Sequence, residues 1–89
     1  MTEERKSLLK FPCSFSVKAM GLSHSEFDSR VVEIIRKHAP DIHEGAVSSR
    51  PSRQGKYTAV TVTIQATSQS QLDSIYQDLT RCEEILMAL

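Results

Sequence analysis

Gly55-Lys56-Tyr57-Thr58-Ala59-Val60-Thr61-Val62-Thr63-Ile64-Gln65-Ala66 alternates without a break. A strand turns successive side chains to opposite faces. The run therefore reads as one long strand. Thr58, Val60, Val62, Ile64 and Ala66 form its apolar face, and Tyr57, Ala59, Thr61, Thr63 and Gln65 form the other. A helix start follows at once. Ser68 and Gln71 have capping-box spacing, and Leu72, Ile75, Tyr76 and Leu79 make an inward stripe behind them. A one-sided strand running into a one-sided helix sets the architecture, because each must bury its single apolar face against a neighbouring layer.

Upstream, Cys13 to Met20 shows the same two-fold pattern. Cys13, Phe15, Val17 and Ala19 share one face; Ser14, Ser16, Lys18 and Met20 share the other. This predicts a first strand that Gly21 ends. Ser23 and Glu26 then have capping-box spacing, with Ser25 a rival cap. Phe27, Val31, Ile34 or Ile35, and His38 recur at helical spacing, which predicts a helix stopping at Ala39, ahead of Pro40. A weaker second strand is expected within Asp41–Arg50. Arg50-Pro51-Ser52-Arg53-Gln54-Gly55 reads as a hairpin loop, with proline and glycine as punctuation. The final run from Glu84 to Leu89 is expected to be a short strand. Residues 1–10 read as a flexible arm, which leaves residues 11–89 as one domain.

Strand, helix, strand, strand, helix, strand is the order of a βαββαβ chain. One-sided strands and two one-sided helices fit an α+β sandwich of ferredoxin-like topology: a four-stranded antiparallel sheet with two helices on one face. Its first and third strands are central, so their apolar faces build the core and their other faces lie open.

Several short motifs together resemble the small bacterial YbeD-like family. They are Phe11-Pro12 before a strand ending Lys18-Ala19-Met20-Gly21, and His38-Ala39-Pro40 after the first helix. Gly55-Lys56-Tyr57 opening a Thr/Val strand is another, followed by Gln71-Leu72-Asp73 and Ile75-Tyr76. The resemblance spans roughly residues 8–89 and is specific only for the set taken jointly. It implies a ferredoxin-like fold similar to regulatory ACT domains. It implies no reaction.

At 89 residues the chain holds a single domain with a modest core, so association with a second subunit is an open expectation. The 11 basic and 11 acidic residues cancel, which removes a global attraction to nucleic acid or anionic membrane. No stretch approaches the length of a membrane span, and the charged segment Met1–Lys10 is not a secretory leader, so the cytoplasm is the expected setting. Cys13 and Cys82 lack metal-pair spacing and read as small, reduced, partly buried side chains.

The fold hosts unrelated functions, so each is weighed at its site. RNA recognition needs aromatic side chains on the open face of the central strands, where bases stack. Ser14, Ser16, Lys18, Tyr57, Thr61 and Thr63 offer a single one, Tyr57, and nucleic acid is disfavoured. A phosphate-processing loop needs a cradle with an arginine, which Gly21-Leu22-Ser23-His24-Ser25 lacks. His24 and His38 lie near opposite ends of one helix, roughly 20 Å apart at 1.5 Å per residue, so they do not share an ion. His38, Asp41 and His43 could approach each other in a turn, but a histidine meeting the dipole at a helix C-terminus, followed by a polar turn, is the plainer reading, and no metal or cofactor is expected. Arg50, Arg53 and Lys56 read as a solvated hairpin tip.

Three uses remain. A non-catalytic regulatory module could take a small molecule near Met20, Gly21, Leu22 and Ser23, where glycine admits close backbone approach and a helix N-terminus favours a carboxylate. Alternatively, a protein-interaction adaptor could use the open face, with Lys18, Tyr57, Thr61 and Thr63, or the final strand. RNA binding is the weakest of the three. Ile85-Leu86-Met87-Ala88-Leu89 is apolar on both faces, whereas a half-exposed edge strand should alternate; this points to cover from the arm, a second subunit or the second helix.

Overall fold

A computed structural model describes residues 10–89. Its elements are β1 (Cys13–Leu22), α1 (Phe27–Arg36), β2 (Val47–Pro51), β3 (Tyr57–Ala66), α2 (Gln69–Arg81) and β4 (Ile85–Ala88), with a short 3-10 turn at Glu44–Ala46 before β2. The sheet order is β2-β3-β1-β4, and every neighbouring pair is antiparallel. This is the expected ferredoxin-like βαββαβ sandwich. The N-terminal arm expected over residues 1–10 lies outside the described residues, apart from Lys10.

The two central strands pair along their full length, from Cys13 opposite Ala66 to Leu22 opposite Tyr57. Their alternation decides which face is covered. Val17, Ala19, Val60, Val62, Ile64 and Ala66 point into the core. Phe27, Val31 and Ile35 from α1, and Leu72, Ile75 and Leu79 from α2, close over them. Each such large side chain contributes about 1.5–3 kcal/mol when fully buried, so these two stripes carry much of the stability. Cys13 and Cys82 are half-buried free thiols packed at the rim of that core.

The two helix starts differ. At α2 the expected cap forms: the Gln71 amide donates to Ser68 Oγ at 3.1 Å. The returning bond is shifted by one residue, since Gln71 Oε1 accepts from the Thr67 amide at 2.7 Å. At α1 the Ser23 cap does not form. Ser23 prolongs the sheet instead: its amide donates to the Lys56 carbonyl at 2.9 Å, and its hydroxyl meets Thr58 Oγ1 at 2.6 Å. The chain needs three more residues to turn, so α1 begins at Phe27, and Glu26, which occupies the N-cap position just before it, makes no side-chain cap bond.

Other boundaries also moved. β1 runs through Gly21 to Leu22, because a glycine in a central strand still hydrogen-bonds on both sides. α1 ends as a helix at Arg36, but the Ala39 amide still reaches the Ile35 carbonyl at 2.9 Å, so a final turn lasts to the expected stop. β2 begins only at Val47, and it includes Pro51, which an edge strand tolerates. The hairpin then closes over Ser52–Lys56, with Gly55 at φ 75°.

Candidate functional site

The helices cover one side of the sheet and leave the other open. Lys18, Tyr57, Thr61 and Thr63 all lie on that open side, as their alternation with buried Val17, Val60 and Val62 requires. They form a strip. Lys18 is directly opposite Thr61, and Ser16 Oγ lies 3.3 Å from Thr63 Oγ1. Tyr57 stands at the far end opposite Leu22, about 20 Å along the strand from Thr63 at 3.3 Å per residue. The Lys56 ammonium sits over its ring, 5.5 Å from the centroid.

The Met20–Ser23 group does not converge. Met20 and Leu22 face the open side, whereas Gly21 is buried on the helix side. A Cβ at Gly21 would lie 2.6 and 2.8 Å from the Phe27 ring and overlap the Glu84 carbonyl oxygen. The close backbone approach that glycine permits is thus taken up by this chain's own atoms, and Ser23 is engaged by Lys56 and Thr58.

The pattern that alternation could not explain, Ile85–Leu89, has a local cause. Ala88 pairs with Ala19 and Met87 with Met20, but Ile85 pairs with Gly21, so Leu86 is an extra residue in a β-bulge. A bulge sets two residues against one and interrupts the alternation. Ile85 enters the core while Leu86 and Met87 are 59% and 51% exposed. The ladder continues past β4, since Leu89 and Lys18 exchange both backbone bonds, at 2.8 and 3.1 Å. Tyr76 ties this end to α2 by donating its hydroxyl to the Leu89 carbonyl oxygen at 2.7 Å, and burial pushes its phenol pKa up. Leu22 at 51% and Leu89 at 64% complete a group of large exposed apolar side chains at one end of the sheet, beside half-buried Met20.

Two histidine–carboxylate pairs were not visible in the sequence, because their partners are remote in the chain. His24 Nε2 meets Glu84 Oε1 at 3.2 Å, where Arg30 also approaches at 3.6 Å. The Glu26 amide donates to His24 Nδ1 at 3.3 Å, which leaves Nε2 to carry the proton toward Glu84. His38 Nε2 meets Asp78 Oδ2 at 2.7 Å, joining the end of α1 to α2. That hydrogen bond, aided by the charges of His38, Arg81 and Lys37, holds the Asp78 carboxyl below its ordinary range. Among the described residues no hydroxyl or thiol hydrogen-bonds to either ring, so neither pair has the arrangement of an activated nucleophile. No group of three or more His, Cys, Asp or Glu side chains gathers around a common point among these residues.

Two clefts lie elsewhere. One, of about 810 Å³, runs between α1 and the β2 edge, with Val32 and Val47 as its floor and Asp28, Glu33, Arg36 and Lys37 around it. The second, of about 580 Å³, lies under the α1–β2 connection and includes His38, Ile42, His43, Thr63 and Gln71. Neither contains Met20, Gly21, Leu22 or Ser23. No helix among the described residues is long and apolar enough to cross a membrane.

The profile of the family described as "Protein of unknown function (DUF493)" matches residues 6–89. The chain belongs to the DUF493 family. Its relatives carry the name UPF0250 protein. One from Neisseria gonorrhoeae is 44% identical over 87 residues, covering 98% of this chain and 96% of the relative. Another, from Chromobacterium violaceum, is 45% identical over 89 residues and covers both chains fully. Among solved structures, protein HP0495 from H. pylori superposes with a TM-score of 0.69 over 91% of this chain and 85% of that one. At 13% identity, that likeness establishes a shared fold. The family expectation drawn from the short motifs is met, and so is the ferredoxin-like fold.

Proposed function

We propose that this DUF493 protein is a cytoplasmic, non-catalytic binding module that docks another protein through the β4 end of its open sheet face. The observation that carries this reading is the group Leu22, Leu86, Met87 and Leu89, each more than half exposed. Contiguous exposed apolar side chains at one place mark interaction surfaces, whereas scattered ones do not. Small-molecule sensing at Met20–Ser23 has less support, because Gly21 is filled by Phe27 and Glu84.

Affinity capture from bacterial lysate, with wild type and Met87→Asp compared, tests the reading. Met87 is half exposed, so the substitution should leave folding stability within about 0.5 kcal/mol. A stoichiometric protein retained by wild type at high salt and lost from the variant is the expected result. Equal retention by both proteins refutes docking at this face. A rise in melting temperature with amino acids or other small carboxylates, with no protein retained, favours the sensor instead.

A further inference from the structure

The net charge of zero conceals a segregation. The strands and the β2–β3 hairpin contain Lys18, Arg50, Arg53 and Lys56 and no aspartate or glutamate. Every acidic residue among those described lies on a helix or on another connection. Of the carboxylates nearest the β4 end, Glu84 is engaged by His24 and Arg30. None of the ion pairs among the described residues involves the four sheet-side cations.

Strand register places these cations beside the apolar group. Met87 pairs with Met20, Met20 with Ala59, and Ala59 with Arg50, so one row crosses the whole sheet from apolar to basic. The next row runs Leu89, Lys18, Thr61, Ser48. At about 4.8 Å between strands, Lys18 stands one strand from Leu89, and Arg50 stands three strands, about 14 Å, from Met87. A helix with side chains is about 10–12 Å across. One lying on Met20, Met87 and Leu22 would therefore cover Lys18 and bring its flank within reach of the long Arg50 side chain. Ala59 and Thr61 give it a shallow bed, and methionine side chains adapt to varied apolar partners.

We infer that the open face takes an acidic amphipathic helix of a partner protein, with its apolar stripe on Leu22, Met20 and Met87 and its carboxylates on Lys18 and Arg50. This rests on the protein-docking reading above and names the partner's chemistry. A second copy of the chain fits poorly face to face. A two-fold interface sets the same patch against itself, and that patch offers no carboxylate to meet Lys18 and Arg50. RNA fits poorly because the face has one aromatic ring, Tyr57, which Lys56 already covers.

Selection from a random 16-residue peptide display library against the immobilised full chain tests the inference. Enriched peptides are then synthesised, measured by fluorescence anisotropy and mapped by backbone amide shifts. The expected winners are acidic, with leucine or similar residues at helical spacing, and they shift the amides of Lys18, Met20, Thr61 and Met87. Lys18→Glu combined with Arg50→Glu should weaken them at least tenfold. Arg36→Glu, on the helix side, should leave them unchanged. Basic or uncharged winners mapping to the same amides would overturn the acidic-partner inference while leaving protein docking intact. No enrichment, or winners mapping to the helices, would overturn both. A labelled single-stranded RNA that binds more tightly than the best peptide, or a light-scattering dimer abolished by Met87→Asp, would also overturn the inference.

Discussion

Replacing Gly21 with alanine separates a structural glycine from one that admits a ligand. A Cβ there would press on the Phe27 ring at 2.6 and 2.8 Å and overlap the Glu84 carbonyl oxygen. The ring belongs to a side chain that is 1% exposed, so it has nowhere to rotate. The carbonyl belongs to the backbone entering β4 and moves only if the β1–β4 pairing moves. Overpacking of this kind costs about 1–3 kcal/mol, and a clash with backbone belongs at the upper end. Removing a buried phenylalanine costs about 3–5 kcal/mol, so pushing Phe27 partly out of its site adds about 1 kcal/mol. The reduced freedom of the unfolded chain returns about 0.4–1 kcal/mol. The net loss is about 3 kcal/mol, or a melting temperature lower by about 12–24 °C for a domain of this size. Thermal and urea unfolding monitored by circular dichroism read it directly. In a Phe27→Leu background the same substitution should cost about 1 kcal/mol less, because part of the clash is gone. A Gly21→Ala variant melting within 3 °C of wild type would refute the packing argument.

Ser68→Ala removes the side chain that accepts the Gln71 amide; it should cost about 1 kcal/mol and lower the melting temperature by about 4–8 °C. Gly55→Ala places a Cβ at φ 75° in the hairpin, where no neighbour clashes, so the expected cost is the backbone penalty alone, about 1–2 kcal/mol in urea unfolding. Asp78 has a folded pKa below its unfolded value of about 3.9, so its pairing with His38 stabilises the fold above that value and is lost as pH falls through the folded pKa. Asp78→Asn should therefore flatten the acid limb of the stability curve below about pH 4; an unchanged limb would mean the pair contributes nothing.

The sequence and the structure agree where a pattern is local. Alternation over Cys13–Met20 and Tyr57–Ala66 was enough to assign the buried and open faces, because a two-residue period leaves no other reading. The Ser68 cap was legible for the same reason: its partner, Gln71, is three residues away. The equivalent signal at Ser23 misled, because Ser23 had a competing partner in Lys56 and Thr58, far along the chain. Gly21 was recognised as a place of close approach, but the atoms that approach it, in Phe27 and Glu84, are set by how α1 and β4 pack.

By itself the sequence determined the order of elements, the layer arrangement and the faces of the two central strands, since each follows from spacings within a few residues. Tertiary structure decided the rest. A β-bulge opposite Gly21 turns Leu86 and Met87 outward together, so an apolar run that violates alternation becomes an exposed surface. Strand register then aligns that surface with Lys18 and Arg50. Both are products of pairing between segments distant in the chain, and such pairing depends on which hydrogen bonds and side chains meet once the core has closed.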